Sequence, residues 1–130
     1  MAKLTDAQAR MFIEPFYGVA ATARPDGSPH QTVVWVDYDG ENVLFNTAEG
    51  RAKPRNIRAN PNVGLTVMDP QNPYRWIAVS GPAEMTAEGA AEHIDKLSHK
   101  YRGRDYDLPA GQQRLIVRIK PQRVTAYGLD

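Results

Sequence analysis

The sequence contains no cysteine. It therefore has no disulfide framework, no thiolate nucleophile and no cysteine-based zinc site, and a reducing cytoplasm is the expected setting. No apolar run approaches the roughly 18 residues that a membrane span needs, and the opening MAKLTDAQARMF lacks the apolar core of a signal peptide. Aromatic residues make up 8% of the chain, which counts against a stacking platform for single-stranded nucleic acid. Net charge is lacking too. Sixteen Lys+Arg stand against 15 Asp+Glu, a formal charge of +1, so no broad basic face for a nucleic-acid backbone is expected. What is present is ordinary for a globular domain: 130 residues, 42% hydrophobic and 24% charged. That length suits a single domain, residues 1–130, with a real hydrophobic core. The chain shows no internal repeat, low-complexity tract or linker.

Thr5 followed by Gln8 predicts a capping box and a short helix ending near Pro15. YGVAATA (17–23) reads as a strand, RPDGSP (24–29) as a turn, and HQTVVWVDY (30–38) as a strand dense in β-branched and aromatic residues. DYDGEN turns again, which explains Asp37 and Asp39 as turn residues, as Asp26 is in its own turn. NVLFNT (42–47) and NVGLTVMD (62–69) are the next strands. The loop PQNPY leads to a long strand over 75–86, where Gly81-Pro82 predicts a bulge or an exposed edge. Residues 87–101 read as a helix with Ile94, Leu97 and Tyr101 on one buried face. After the polar loop RGRDYDLPAG, RLIVRIK (114–120) and RVTAYG (123–128) read as a closing pair of strands around Pro121. Six to seven strands with hairpin connections and no βαβ alternation predict a mainly β protein, a small antiparallel barrel with peripheral helices.

One segment breaks the charge balance. Between Gly50 and Met68 lie Arg51, Lys53, Arg55 and Arg58, with no acid among them. Pro54 suits a first helical position, so a short helix is expected from about Pro54 to Ala59, ending before Asn60-Pro61. A helix N-terminus carries partial positive charge and free N–H groups. Cations placed beside it cost free energy unless an anion comes to rest there, and a phosphate is the first suspect. The competing reading is a solvated basic loop balanced by acids from elsewhere in the fold.

The run PHQTVVWVDYDGENVLFNTAEGRAKPRNIRANPNVGLTV resembles the split β-barrel flavin-binding superfamily that includes pyridoxamine-phosphate oxidase. Within it, the chain is most similar to the actinobacterial branch of deazaflavin (coenzyme F420)-dependent reductases. The likeness rests on the DGSPH turn, FNTA leading into RAKPRNIR, DPQNPYRW, KYRGRDY and the final RLIVRIKPQRVTAYG, and covers roughly residues 5–128. The resemblance implies a homodimeric split barrel with the cofactor in a groove between subunits. It makes Lys53 the main phosphate ligand, with Arg51 and Arg55 as supporting cations and Arg58 as a further cation for an anionic tail. Thr47 and Ala48 would approach the phosphate or ribityl chain, and Val33, Val34 and Trp35 would run along the ring. Asn72, Tyr74, Arg75 and Trp76 would come from the other subunit.

Plainer readings stand beside these. Val33 and Val34 read first as barrel core, although backbone contacts to a ring do not depend on their side chains. Trp35 and Trp76 read equally as dimer-interface aromatics, and Asn56 as a backbone partner near the helix start. His30, His93 and His99 show no metal spacing with carboxylates, and His93 and His99 read as surface residues. No Ser/His/Asp or Cys/His constellation can be assembled, which fits a cofactor that carries the chemistry. The implied reaction is hydride transfer between the reduced deazaflavin and an electron-poor C=C or C=N of a small molecule. Catalytic residues remain unassigned; His30, Tyr74 and solvent are the candidate proton donors. The alternatives are an FMN-dependent oxidoreductase of the same fold and a non-catalytic flavin- or F420-binding protein. Pyridoxamine-phosphate oxidase activity itself is not expected, because the chain has no room for that enzyme's C-terminal substrate segment.

Overall fold

A computed structural model describes residues 3–129. The chain begins with α1 (Asp6–Ile13), capped as its sequence requires. Gln8 N–H donates to Thr5 Oγ1 at 3.2 Å and Thr5 N–H donates to Gln8 Oε1 at 3.0 Å. The helix buries Met11 and Phe12. There follow β1 (Tyr17–Ala23), β2 (Pro29–Trp35), β3 (Asp37–Tyr38), β4 (Val43–Ala48), α2 (Ala52–Ala59), β5 (Asn62–Asp69), β6 (Asn72–Thr86), α3 (Ala90–Arg102), β7 (Arg114–Ile119) and β8 (Arg123–Tyr127). Every strand pairing is antiparallel. The strand order is β2-β1-β5-β6-β7-β4-β3, with β8 also on β6. This is the mainly β split barrel the sequence predicts, and its core is filled by Phe12, Val36, Phe45, Ile77, Val117 and Ile119.

The strand count is eight among the described residues rather than six or seven, because the run 30–38 breaks at Val36. The Val36 side chain is fully buried, and its backbone bonds to α3 instead of to a strand. Its N–H donates to Tyr101 Oη at 3.0 Å and its carbonyl accepts from Lys100 Nζ at 2.6 Å. The same two side chains reach the end of α1, where Lys100 donates to Phe12 O at 2.8 Å and Tyr101 to Phe16 O at 2.6 Å. The C-terminal turn of α3 is thereby fastened to both α1 and the β2–β3 break.

β6 links the two halves of the barrel. Asn72–Pro82 pairs with β5, Trp76–Ser80 also with β8, and Ala83–Thr86 with β7. Strands β7 and β8, expected to close on each other, instead both lie on β6. The segment joining them crosses it, with Lys120 N–H donating to Pro82 O at 3.0 Å and Gln122 N–H to Ser80 O at 2.9 Å. Gly81 sits under this crossing, where a Cβ would fall 1.9 Å from Lys120 O. The glycine marks a close backbone approach, not a bulge. The bulge lies at the start of the strand: Met68 opposes Trp76 but Asp69 opposes Asn72, so most of the expected PQNPY loop belongs to β6.

Gly81→Ala forces the crossing backbone away, and it should lower stability by about 1–3 kcal/mol in urea unfolding. A second test reads the α3 anchors. Burial pushes the Lys100 ammonium from 10.5 down to about 8 and the Tyr101 phenol from 10.0 up to about 12. For Lys100 the unfolded chain holds the extra proton, so its contribution to stability rises with pH between about 8 and 10.5. For Tyr101 the folded chain keeps the proton, so its contribution falls between 10 and about 12. Lys100→Met should remove the rise and Tyr101→Phe the fall, relative to wild type, in unfolding measured across alkaline pH.

Candidate functional site

α2 begins two residues earlier than expected. Arg51 is its N-cap and makes no side-chain capping bond, and the first turn holds no acid. Pro54 is the third helical residue, still among the first four N–H positions that have no intrahelical acceptor, so its missing N–H costs nothing there. Lys53 therefore stands inside the helix. It is half-buried, and burial, reinforced by the charge of Arg51, holds its ammonium below the usual 10.5. Across from the helix start, Thr47 at the end of β4 is 1% exposed, and its buried hydroxyl has no hydrogen-bond partner.

Only one of the four cations follows the balanced-loop reading. Arg58 donates to both carboxylate oxygens of Glu49, at 2.8 and 2.5 Å. Among the described residues, Arg51, Lys53 and Arg55 form no ion pair. Asn56 does not serve the helix backbone. It is buried and donates to Thr22 Oγ1 at 3.1 Å, tying α2 to β1.

An open cavity of about 260 Å³ lies beside this corner. Of the expected site residues it brings together Val33, Val34, Trp35, Thr47, Arg51 and Lys53. Trp35 is held by a stacked contact with Tyr101, 5.4 Å between centroids, and Arg102 lies over its ring. Val34 packs against the core as the plainer reading holds, but Val33 faces outward and is 68% exposed. Ala48 and Arg55 lie outside the lining, as do Asn72 and Trp76 at the far end of β6.

His30 lies on β2 near the same cations. Its Nδ1 is buried without a partner. Burial, then the charges of Lys53, Arg24 and Arg55, lowers its affinity for a proton.

The remaining wall was missed by sequence reasoning: Tyr17, Asn46, Tyr106 and Arg114, joined by the expected helix-face residues Ile94 and Leu97. Among the described residues the lining includes no Asp or Glu, against three cations. Arg114 is 4% exposed. Its Nε donates to Asn46 Oδ1 at 2.8 Å, and Nη1 reaches Gln112 Oε1 and Tyr106 Oη at 3.1 and 3.3 Å.

His93, expected at the surface, is 8% exposed behind this wall. Its spacing from Ala90 and Leu97 puts it on the buried stripe of α3, a signal present in the sequence. Asn46 Nδ2 lies 3.0 Å from both Ala90 O and His93 Nδ1, and His93 Nε2 lies 3.0 Å from Asp37 Oδ2. Asp37 is thus more than a turn residue. Burial raises its carboxyl, but bonds from His93, Tyr38 N–H and Lys96 outweigh that and leave it at about 2. Asp26 and Asp39 do serve their turns, accepting from Ser28 N–H and from Glu41 and Asn42 N–H.

His99 is exposed as expected. The structure nevertheless places it with Asp95, one turn before it on α3, and Asp105 from the following loop, ligand atoms within 4.8 Å of one another. His99 Nε2 is hydrogen-bonded to Asp105 at 2.7 Å. The loop residue is what the search for metal spacing in the sequence overlooked. No helix among the described residues is long and apolar enough to cross a membrane.

Comparison with known proteins agrees with this fold. A solved F420 reductase is 35% identical, with 94% of this chain and 98% of that one covered and a TM-score of 0.84. A conserved hypothetical protein from Mycobacterium tuberculosis is 26% identical over 95% of this chain and 84% of its own, with a TM-score of 0.76. A pyridoxine/pyridoxamine 5'-phosphate oxidase of Rubrobacter xylanophilus is 40% identical over 76 residues, which span 58% of this chain but 35% of that enzyme. The sequence model of pyridoxamine 5'-phosphate oxidase matches residues 4–128. Matched over nearly its whole length on a barrel of the same architecture, the chain belongs to the pyridoxamine 5'-phosphate oxidase family.

Proposed function

We propose that the chain is an oxidoreductase that uses the deazaflavin coenzyme F420 to reduce an electron-poor conjugated C=C or C=N in a small molecule. The observation that carries this reading is the pair Lys53 and Arg51, without an ion-pair partner among the described residues, at the uncapped start of α2 beside a cavity whose described lining holds no Asp or Glu. A phosphate supplies the missing negative charge and accepts from the free N–H groups of the helix start. Lys53 is its main ligand, Arg51 supports it and Thr47 lines its approach, while Arg55 and Ala48, outside the lining, take no part in the cavity itself. Val33, Val34 and Trp35 offer backbone groups and a fixed aromatic wall along the ring. A bound deazaflavin or flavin supplies two-electron chemistry by hydride transfer. The chain's own part is to bind, orient and exclude water, with Ile94, Leu97 and Trp35 as the apolar surfaces that do so.

The relatives named as reductase and oxidase support the redox assignment. FMN is the second reading, favoured by one observation. Arg58, engaged by Glu49, is not free for an anionic tail, and a single phosphate satisfies the cations that are.

The second subunit of a homodimer completes the site in this reading. The outer face of the β1-β2-β5-β6-β8 sheet supports it. Val33 pairs with Val19, Met68 with Trp76 and Trp76 with Tyr127, and Val19, Val33, Met68, Tyr74 and Tyr127 are all exposed. An apolar face of this extent favours burial against a partner. Asn72, Tyr74, Arg75 and Trp76, outside the cavity of their own chain, then have a neighbour's cavity to close.

Fluorescence titration of the purified protein with F420 and with FMN should give the tighter dissociation constant for F420. Lys53→Ala should weaken binding by about 1.5–3 kcal/mol, and an unchanged constant would remove the phosphate assignment. Sedimentation should find a dimer that Met68→Glu with Tyr127→Glu dissociates; a wild-type monomer would discard the shared site.

A further inference from the structure

Arg114 poses a question that a phosphate at Lys53 does not answer. A guanidinium this deeply buried is costly without a counter-charge, and among the described residues its partners are the neutral oxygens of Asn46, Gln112 and Tyr106. The Tyr106 ring adds a face contact at 5.3 Å. Nε and Nη1 are engaged in these bonds. Nη2 makes none among the described residues, and it is not one of the sealed polar atoms. It is the donor that Arg114 has left to offer the cavity it lines.

The side chain that aims this guanidinium is itself held from behind. Asn46 gives its amide hydrogens to Ala90 O and His93 Nδ1, which leaves its oxygen turned toward Arg114. His93 Nδ1 must then accept, so Nε2 carries the hydrogen that goes to Asp37. Asp37 is fixed in turn by Tyr38 N–H and Lys96. A hydroxyl or water in place of His93 Nδ1 could donate as well as accept and would not fix which way the amide faces.

We propose that Arg114 is a further ligand-binding residue of the cavity, taking a second anionic oxygen through Nη2, and that Asn46 and His93 are positioning residues that aim it. The oxygen is that of a carboxylate or phosphate, the oxyanions a guanidinium recognises best. It belongs either to the molecule whose phosphate meets Lys53 or to a separate acidic small molecule bound beside it. The inference rests on the reading of this cavity as the cofactor site, but its test separates the two.

Isothermal titration of Arg114→Gln with F420 and with FMN is the first arm, and titration of the cofactor-loaded protein with benzoate is the second. A loss of about tenfold or more in cofactor affinity identifies the cofactor as the source of the oxyanion. Unchanged cofactor affinity with benzoate binding abolished identifies a separate acid. A folded variant that binds both like wild type overturns the proposal. If the glutamine variant does not fold, Arg114→Lys keeps the charge and loses the fork, and should still weaken the same probe about fivefold. Lys53→Ala in parallel tells the readings apart: an effect at Arg114 without one at Lys53 discards the phosphate corner and keeps Arg114.

The positioning arm uses two His93 variants, both of which lose the bond to Asp37 and should unfold more easily. His93→Leu should lose about as much affinity as Arg114→Gln, without adding to it in the double variant. His93→Asn places an acceptor where Nδ1 stood and should bind within about twofold of wild type. Equal affinities for His93→Leu and wild type would overturn the positioning role.

Discussion

The structure turns on a charge that the fold leaves unbalanced. Where β4 ends and α2 begins, Arg51 and Lys53 share a helix N-terminus with no acidic partner among the described residues, and Arg114 approaches from β7. Like charges and a helix dipole of the same sign repel, and burial deepens the cost by removing water. The lowered proton affinity of Lys53 is the signature of that cost. A protein that needed only stability would place a carboxylate here, as it does a turn away with Glu49 and Arg58. The contrast between those neighbouring cations is what the proposal of an anion site at this corner rests on.

α3 serves the site in two ways. Ile94 and Leu97 form part of the cavity wall, while Lys100 and Tyr101 grip the backbone where β2 gives way to β3. Trp35, the last residue before that break, stacks on Tyr101. The wall along which a planar ligand would lie is therefore set by the helix and not by strand pairing alone.

Local rules were legible where one residue decides the outcome. Thr5 and Gln8 specify a cap that needs nothing beyond their own turn, and Ile94 and Leu97 follow from helical period. The barrel class was legible from turn chemistry and alternation. The α2 boundary was not, since proline is tolerated at several positions of a first turn and the third was used. The break at Val36 has no local cause at all: it depends on Lys100 and Tyr101, more than 60 positions along the chain. Half of the cavity was legible from the charge anomaly and the family resemblance. Ile94 and Leu97 follow from the helical period, and the rest comes from Tyr17, Asn46, Tyr106 and Arg114, residues without a chemistry-bearing spacing that meet only through the β4–β7 pairing and the return of the chain after α3. Asp37 misled in the opposite sense, because a plausible turn role hid its partner His93.

β6 has a consequence for how the molecule opens. Its 15 residues enter the ladders of both halves of the barrel, and the backbone of residues 120–122 lies across it at Gly81. Neither half can detach its share of β6 without disturbing the segment that crosses it. Amide hydrogens on β5, β7 and β8 should therefore exchange with solvent in one shared opening event, rather than in separate events for each half. Arg114 of the cavity wall stands on β7, so that wall is tied to the same event through its strand.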